Sequence, residues 1–517
     1  MQFVKRNIPF QSTGQFPKLF LDYVSGKKEL LPFYSYFPDA EGFAKALGDL
    51  QKRSFDRSML VEAIRSQYAR TKNCAFDISL VEKLHSPNTF TVTTGHQLCL
   101  FTGPLYFIYK IISTINLAKE LKKKFPENDF IPVYWMASED HDIAEIDHIH
   151  LFGKTLKWDT GQAGAVGRFE TAPLVKMIEE LEAIMGDNAN APELMAIFKN
   201  AYGENNNLAD ATRSLVHQLL GSDLIVADGD DARLKKSFVS IMREDIFSSP
   251  NERLVNETVG ELEKLGYGAQ VNPRAVNVFY LEENARVRIE GPDDKYKLEL
   301  ETHPENFSPN VVLRPLYQQM ILPNIAYVGG PGELSYWLEY KRMCDHHKLF
   351  FPVLVPRNSV MWLDERSVEI LRKNDFTEED IFRDTEELVK DSAKKDVSWT
   401  GEVADISNAL NETYLKLSAL AQRADATLKG AVDAELQKAL NGLKNIESKM
   451  LRAEKQKKET SLNQIRKTKE KLFPGNLLQE RYDNFIPFYL RHGKKFFNVL
   501  FSELHPLELQ FTLLKEE

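Results

Sequence analysis

The segment TTGHQLCLFTGPLY, residues 93–106, places one histidine between glycines, where a predicted strand gives way to a predicted helix. Glycine lets a ligand approach the backbone closely, and the first turn of a helix offers N–H groups and a partial positive charge. His96 and Gln97 could therefore donate hydrogen bonds to phosphoryl oxygens. A tight turn with an incidental histidine is the alternative. The candidate contacts of this loop are Thr94, Gly95, His96, Gln97, Gly103 and Pro104.

The segment SEDHDIAEID, residues 138–147, crowds five acidic side chains and one histidine directly after a second predicted strand. Carboxylates this close repel one another unless a metal ion, a substrate amine or basic side chains relieve the repulsion. Mg²⁺ or an ammonium group would suit the carboxylates, and the histidine could contact phosphate or act as an acid or base. A solvated helix cap is the alternative. The candidates are Glu139, Asp140, His141 and Asp142.

Two further histidines, His148 and His150, follow this acidic loop. Together with the loop they would offer zinc ligands. They alternate along a predicted strand outside the loop, however, so the sequence predicts no bound zinc.

The segment YVGGPGELSYW, residues 327–337, repeats the order of strand, glycine-rich loop and helix. It matches neither the dinucleotide-binding glycine pattern nor the phosphate-binding P-loop. Its candidates are Gly329, Gly330, Gly332 and Glu333, of which the glutamate falls in the first helical turn and could face a ribose hydroxyl or an ammonium group. Arg314 is a further candidate, because its guanidinium could bind a phosphate or carboxylate with two hydrogen bonds. The alternative is an exposed arginine that caps a helix.

The strands that must position these loops are apolar runs, as expected of strands buried on both faces. Predicted strands at 89–94, 130–137, 325–330 and 351–356 alternate with predicted helices at 104–121 and 332–348. This alternation predicts an α/β fold with a parallel sheet, whose loops meet in a crevice at the carboxyl ends of the strands. The intervening residues, about 150–310, are expected to be insertions containing a hairpin at 148–158, helices near 172–184, 192–202 and 208–220, and a strand at 223–228.

Between about 377 and 472 the composition shifts to Glu, Lys, Ala and Leu, and apolar residues alternate steps of three and four. Such spacing predicts coiled-coil helices. Gly430 lies near a change of phase, which favours an antiparallel hairpin whose first arm ends before about 428 over one continuous rod. The expected domains are therefore 1–376, a core with insertions, 377–472, a coiled-coil arm, and 473–517, a segment that packs back on the core. The arm could serve dimerisation or partner docking, or be purely intramolecular.

Composition narrows the class of protein. The 517 residues include 66 Lys and Arg against 75 Asp and Glu, a net charge of −9, which disfavours nucleic acid and anionic membranes as partners. The sequence offers neither a signal-like apolar segment nor a membrane-spanning run of about 18 apolar residues. Its three cysteines form no CxxC pair, which fits reduced thiols. A cytoplasmic protein that acts on small molecules is the expectation.

Four long motifs together resemble the BshC family, the proposed cysteine-adding enzymes of bacillithiol synthesis. They are TGHQLCLFTGPLYFIYK, WMASEDHDIAEIDH, RPLYQQMILPNIAYVGGPGELSYW and FPGNLLQERYDN, and the resemblance extends over the whole chain. It implies a Rossmann-like core related to class I aminoacyl-tRNA synthetases, with connecting-peptide insertions, and an α-helical coiled coil that supports a homodimer. The implied reaction joins cysteine to the glucosamine of glucosaminyl-malate.

By this resemblance, Gly95-His96-Gln97 through Gly103-Pro104 take the place of the synthetase HIGH element, which contacts ATP phosphates. This chain has one histidine there instead of two. Gly329 to Glu333 resemble the glycine-rich turn that borders adenosine. No KMSKS-like lysine loop is recognisable, and Arg357 and Ser359 in VPRNSV are its nearest positional substitutes. The zinc ligands with which cysteine-activating synthetases select the thiol are also missing from the pattern.

The resulting hypothesis is an ATP-dependent ligase with Mg²⁺ as a candidate cofactor and with cysteine, glucosaminyl-malate and a nucleotide as ligands. Activation could proceed through cysteinyl-adenylate, with AMP as product, or through an acyl phosphate, with ADP as product. A non-catalytic dimeric scaffold with a decayed synthetase fold is the competing hypothesis. Residues 478–484, LQERYDN, could belong to a second nucleotide site or to a network at a domain junction.

Overall fold

The computed structural model describes residues 3–394, 400–457 and 459–517. Residues 395–399 and 458, which fall in the predicted coiled-coil segment, lie outside the described residues. The chain divides into two compact units. The larger consists of Lys5–Met361 and Leu478–Thr512, and the smaller of Met1–Val4, Trp362–Leu477 and Leu513–Glu517.

The strands are β1 Phe3–Ile8, β2 Thr89–His96, β3 Asp129–Met136, β4 His148–Leu151, β5 Lys154–Lys157, β6 Ile225–Asp228, β7 Val278–Glu282, β8 Ala285–Arg288, β9 Phe307–Pro309, β10 Asn324–Gly329, β11 Val353–Pro356, β12 Ser359–Leu363 and β13 Phe511–Glu516. Five of them form a parallel sheet in the order β11-β10-β2-β3-β6. Almost every residue of these five strands is buried, because both faces of the sheet are covered. The predicted α/β fold with a parallel sheet is confirmed.

The order of strands in this sheet reverses between β2 and β10. From β2 the chain proceeds to β3 and then β6 on one side, whereas β10 and β11 lie on the other side. Loops that leave neighbouring strands in opposite directions open a crevice at the carboxyl ends, where ligands of open α/β sheets bind. Here the crevice lies beside His96, at the end of β2, and Gly329, at the end of β10.

The helices of the larger unit before its boundary at residue 361 are α1 Lys18–Val24, α2 Ala40–Leu50, α3 Arg57–Arg70, α4 Ser79–Glu82, α5 Tyr106–Lys124, α6 Val175–Met185, α7 Ala191–Glu204, α8 Leu208–Leu220, α9 Ala232–Ser248, α10 Pro250–Lys264, α11 Lys295–Thr302, α12 Arg314–Ile321, α13 Pro331–Leu338 and α14 Lys341–His346. Helix α5 joins β2 to β3 and is buried along most of its length. Its apolar side chains Leu117 and Leu121 belong to one core cluster with Val92 of β2 and Val328 of β10. The helix is thus held against the sheet directly behind the crevice.

The hairpin predicted near the start of the expected insertion is confirmed, and its strands are β4 and β5. Strand β6 of the expected insertion, however, pairs with β3 and forms one edge of the central sheet. A second small antiparallel sheet has the order β8-β7-β9. The short run IVAD of β6 carries no sequence signal for its partner, because strand pairing is set by the packing of the whole sheet.

The predicted helix at 332–348 is wrong as a single element, since α13 ends at Leu338 and α14 begins at Lys341. Glu339 lies at the break with its carboxylate buried. It accepts hydrogen bonds from the backbone N–H groups of Gln270, at 2.7 Å, and Val271, at 3.2 Å. These contacts with a distant segment end the helix, and helical periodicity does not reveal them.

The smaller unit contains α15 Glu365–Lys373, α16 Thr385–Lys394, α17 Thr400–Ala424, α18 Lys429–Lys457 and α19 Glu459–Leu472. Helices α17 and α18 pack against each other, and Asp425 caps the turn between them by accepting a hydrogen bond from the N–H of Thr427. The predicted hairpin is therefore correct, and one continuous rod is not formed. A buried cluster that includes Leu388, Leu462 and Ile465 joins α16 to α19.

After the coiled-coil segment the chain continues through α20 Gln479–Tyr482, α21 Ile486–His492 and α22 Lys495–Glu503 of the larger unit. Strands β1, β13 and β12 form a three-stranded sheet in that order. None of the helices in the described residues has both the length and the apolar character that crossing a membrane requires.

Burial raises the pKa of Glu339 from 4.5 to about 7, although the two backbone N–H groups favour its charged form. The folded protein therefore binds a proton at this residue that the unfolded chain releases, and stability falls as the pH rises from about 4.5 to about 7. We expect the free energy of unfolding of the Glu339→Gln variant, relative to that of wild type, to increase by about 2 kcal/mol when the pH is raised from 5 to 8. Urea unfolding at both pH values measures this difference.

The control for this measurement is Glu283→Gln, at an exposed glutamate of the same unit. Its stability relative to wild type should be the same at pH 5 and pH 8. A Glu339→Gln variant that behaves like the control would show that Glu339 ionises in its usual range.

Candidate functional site

A cavity of about 550 Å³ opens in the larger unit at the carboxyl ends of β2, β3 and β10. Its wall contains side chains from β2, α5, the loop after β3, β8, α12 and α13, together with Arg357 and Arg481. It thus lies at the crevice that the strand order creates. Of the predicted site residues, ten line it: Gly95, His96, Gln97, Glu139, Asp140, Arg314, Gly330, Gly332, Glu333 and Arg357.

His96, the last residue of β2, stacks its ring on Tyr106 in the first turn of α5, with ring centroids 5.2 Å apart and an interplanar angle of 16°. Its Nε2 atom is buried, and no group among the described residues forms a hydrogen bond with it. Burial, and after it the charge of Lys110, lower the pKa of His96 to about 3. The imidazole is therefore neutral, and His96 lines the cavity with one ring nitrogen unsatisfied, which a ligand could satisfy.

An ion pair between a buried lysine and a partly buried glutamate connects α5 to α13. The Nζ of Lys110 lies 2.7 Å from the Oε2 of Glu333 and also donates to the carbonyl oxygen of Gly95. Glu333 in turn accepts hydrogen bonds from the Tyr327 hydroxyl, at 2.7 Å, and from the Gly330 N–H, at 2.8 Å. Burial alone would raise the pKa of Glu333, but the charge of Lys110 holds it below the usual value. The carboxylate is therefore ionised and saturated by internal partners.

Arg314, the first residue of α12, lies in the cavity wall. Its guanidinium donates to the Oε1 of Gln318, at 3.1 Å, and lies over the ring of Tyr327, 5.8 Å from its centroid. Within the described residues no carboxylate lies within ion-pair distance of it. A side chain at Gly95 would place its Cβ 3.2 Å from both Arg314 Nη1 and the Tyr327 hydroxyl. The glycine therefore makes room for an arginine whose charge no carboxylate in the described chain neutralises.

The acidic loop after β3 is neutralised by basic side chains of the protein. Glu139 lies 2.7 Å from the Nζ of Lys235, and Asp140 accepts from Gln97 Nε2, at 2.8 Å, and contacts Arg286 Nη1 at 3.5 Å. Burial alone would raise the pKa of Asp140, but the hydrogen bond from Gln97 and the charge of Arg286 lower it. These two carboxylates line the cavity.

The other two candidates of the acidic loop lie elsewhere. His141 and Asp142 are exposed and are not part of the cavity wall. His141 approaches Arg286, with 3.4 Å between its Nδ1 and the Nη1 of the arginine. The structure therefore divides the loop into an inward pair, Glu139 and Asp140, and an outward pair.

Arg357 forms a two-pronged ion pair with Glu480, with N–O distances of 2.8 and 3.0 Å, and both side chains are at most 2% exposed. Glu480 also accepts from the N–H of Val360 at 2.9 Å. The guanidinium lies over the ring of Tyr106, 5.3 Å from its centroid, and the same ring stacks on His96. The segment 478–484 thereby reaches the cavity, and its Arg481 lines the wall.

Five predicted site residues support the walls without lining the cavity. They are Thr94, Gly103, Pro104, Gly329 and Ser359. The Thr94 hydroxyl donates to the carbonyl oxygen of Val328 at 2.8 Å, which ties β2 to β10. A Cβ at Gly103, whose φ is +59°, would lie 2.6 Å from the Cβ of Cys99, and a Cβ at Gly329 would lie 2.9 Å from a methyl carbon of Leu334. These glycines are required by close packing.

Sequence reasoning did not select Lys110, Tyr106 or Arg286, all of which line the cavity. Lys110 interrupts the apolar face of a predicted buried helix in PLYFIYKIISTI. A charged residue in such a position is a signal for a buried partner, because an unpaired buried charge is costly. Arg286 lies on β8 within the predicted insertion, and no pattern links it to the core.

Models of two protein domains match the chain. The model described as the N-terminal Rossmann-like domain of bacillithiol biosynthesis BshC matches residues 3–358, and that of the C-terminal coiled-coil domain of BshC matches residues 360–516. Proteins named "Putative cysteine ligase BshC" from Flavobacterium psychrophilum and Flavobacterium johnsoniae are each 39% identical to the chain, over 98% of its length and 99% of theirs. One from Chlorobaculum tepidum is 31% identical over 97% of both chains.

The Arg357–Glu480 pair gives a test of the site's framework. Glu480→Gln would leave the Arg357 charge buried and unpaired, which typically costs about 3–5 kcal/mol. The control, Glu508→Gln, removes an ion pair with Lys5 at 2.6 Å in which the glutamate is 37% exposed, and should cost at most about 1 kcal/mol. Urea unfolding compares the two. Similar losses would show that the buried pair is not a main support of the cavity wall.

The neutral state of His96 can be observed directly by NMR. Because its pKa is lowered to about 3, the ring resonances should not shift between pH 5 and pH 8. The resonances are assigned by their loss from the spectrum of a His96→Ala variant. A titration with a midpoint near 6.5 would contradict the neutral assignment.

Proposed function

The chain belongs to the BshC family of bacillithiol biosynthesis, and from this premise we propose that it is an ATP-dependent ligase that joins cysteine to glucosaminyl-malate. The cysteine ligase name of its relatives, which the chain matches over nearly their full length, supports the reaction class. The cavity at the crevice between β2 and β10 supports the place of the reaction, because it is the ligand position expected of this sheet.

Use of a nucleotide is supported by two side chains of the cavity wall. Neutral His96 offers a buried nitrogen without a hydrogen bond, and Arg314 offers a positive charge without a carboxylate among the described residues. A phosphate group would pair with Arg314, and it would accept a hydrogen bond from His96 in the tautomer that carries its proton on Nε2. We assign His96 and Arg314 to the nucleotide phosphates, with Gly330 and Gly332 beside the nucleoside. The unsatisfied His96 nitrogen beside a cavity that also contains the unneutralised Arg314 charge is the observation that carries the proposal.

Asp140 is the candidate for the cysteine ammonium group or for Mg²⁺, which prefers oxygen ligands. Asp140 is ionised and lines the cavity, and Gln97 orients it. Glu139 is already paired with Lys235, and Glu333 with Lys110, so these carboxylates position the wall. Mg²⁺ bound with ATP would neutralise charge on the phosphates. The exposed His141 and Asp142 keep no role in this scheme.

In the proposed reaction, a cysteine carboxylate oxygen attacks the α-phosphorus of ATP, and the bond to pyrophosphate breaks. A neutral glucosamine amine then attacks the cysteinyl carbonyl carbon, the bond to AMP breaks, and the amine loses one proton. Arg314 and His96 would stabilise charge that develops on phosphate oxygens, and the cavity would hold the reactants in line. Attack on the γ-phosphorus, with ADP and phosphate as products, is the alternative activation.

We propose in addition that the smaller unit supports a homodimer. Its hairpin of α17 and α18 exposes large apolar side chains, among them Leu415, Leu420 and Ile446. Exposed apolar side chains on a helical hairpin suit contact with a second helix pair.

The reaction is tested by incubating the purified chain with ATP, Mg²⁺, cysteine and glucosaminyl-malate. AMP with the ligated thiol indicates the adenylate, and ADP with the same product indicates the acyl phosphate. Ligation without nucleotide turnover would contradict ATP dependence. The absence of any product or nucleotide turnover would favour the scaffold hypothesis.

Two variants test the assignment of the phosphate contacts. We expect His96→Ala and Arg314→Gln each to lower kcat/KM for ATP by about 10²–10³-fold, since each removes a donor from developing phosphate charge. The matched control is His85→Ala, at a histidine that is 46% exposed and 3.9 Å from Glu82. It should retain wild-type kinetics. Normal turnover by both cavity variants would place the phosphates elsewhere.

A further inference from the structure

Three potential metal ligands meet outside the cavity, between α9 and the residues that end α14. Glu244 lies near the end of α9, and His346 and His347 lie at the end of α14. One ligand atom from each residue lies within 4.8 Å of the others. His346 Nε2 is 2.9 Å from Glu244 Oε1, and His347 Nδ1 is 3.6 Å from Glu244 Oε2.

The hydrogen bonds on the side of the His347 ring away from Glu244 determine which ring nitrogen donates to the protein. Its Nε2 lies 2.9 Å from the Oδ1 of Asn251. The orientation of that amide is fixed, because Asn251 Nδ2 donates to Asp245 Oδ1 at 2.9 Å. The backbone N–H of Asn277 donates to the other oxygen of Asp245, which holds the carboxylate. Asn251 Oδ1 is therefore an acceptor, and His347 must donate from Nε2.

With Nε2 held by Asn251, Nδ1 is the ring nitrogen of His347 that faces the Glu244 carboxylate. The separation of 3.6 Å is longer than a hydrogen bond, and the His347 side chain is only 4% exposed. The Glu244 side chain is 40% exposed, so its carboxylate is free to move toward an ion held by Nδ1.

We propose that Glu244, His346 and His347 bind a Zn²⁺ ion. Two imidazoles and one carboxylate are a ligand set typical of zinc. Zinc bonds of about 2.0–2.2 Å in tetrahedral geometry separate ligand atoms by roughly 3.3–3.6 Å. The histidine nitrogens lie 2.9 and 3.6 Å from the two oxygens of Glu244, and one ligand atom of each residue lies within 4.8 Å of the others, so side-chain rotations would bring the three ligands around one ion. Asn251 is the positioning residue, since its hydrogen bond sets the tautomer of His347.

A bound ion would link two segments of the chain and keep one coordination position open. Its ligands come from α9 and from the end of α14, and His346 and Glu244 are 102 residues apart in the sequence. The side chains of Glu244 and His346 are 40% and 36% exposed, so the fourth position faces solvent. Water or a small anion would complete the coordination. Binding to the folded chain alone stabilises it.

The test uses the full chain freed of metal with a chelator. Zn²⁺ is titrated in competition with a chromophoric chelator, and thermal unfolding is followed with and without Zn²⁺. Wild type should bind one equivalent at this site and unfold at a higher temperature when Zn²⁺ is present. His346→Ala and Glu244→Gln, which alter partly exposed ligands and spare the buried ring, should each weaken binding by at least ~10-fold.

The matched control is His303→Ala, which removes another exposed histidine from beside a glutamate, His303 being 3.1 Å from Glu305. It should bind Zn²⁺ as wild type does and show the same thermal shift. The proposal is overturned if wild type binds no equivalent, if either ligand variant retains wild-type affinity, or if Mg²⁺ gives the same stabilisation as Zn²⁺.

Discussion

The ion pair between Lys110 and Glu333 is the contact on which the cavity depends. Lys110 comes from α5 and Glu333 from α13, the helices that follow β2 and β10 on either side of the crevice. Lys110 is 4% and Glu333 24% exposed, so burying the lysine charge is costly and the pair is stabilised by the use of the remaining donors and acceptors. The Gly95 carbonyl, the Gly330 N–H and the Tyr327 hydroxyl supply those partners. The pair therefore fixes the backbone of both loops in one arrangement.

This arrangement explains the distribution of charge around the cavity. Three other buried or half-buried cations have carboxylate partners: Lys235 with Glu139, Arg286 with Asp140 and Arg357 with Glu480. Arg314 lies among them with amide and phenol groups as its neighbours. Among the ionisable side chains that line the cavity, five are basic and four are carboxylates, although the chain as a whole carries a net charge of −9. An anion would thus be attracted by local pairing rather than by the overall charge of the protein.

The parts of this structure that follow from local pattern were predictable from sequence. Apolar runs gave the strands β2, β3, β10 and β11, heptad spacing gave the helical hairpin, and glycine-rich loops after strands gave much of the cavity wall. The partners were not predictable, because pairing is decided by tertiary packing. Lys235 and Arg286, which neutralise the acidic loop, come from distant segments. Glu339 ends a helix through contacts with residues 270 and 271, which no helical pattern records.

The neighbours of His96, the single histidine of the first loop, determine its charge state and its position. Burial, and after it the charge of Lys110, keep His96 neutral, so in the proposed site it would contribute a hydrogen bond and no charge. The positive charge comes from Arg314, which cannot lose its proton near neutral pH. Tyr106 holds the His96 ring on one face and lies under the Arg357 guanidinium, which in turn is fixed by Glu480. In the proposed site His96 would therefore supply a hydrogen bond and Arg314 the charge, and neither role requires a second histidine.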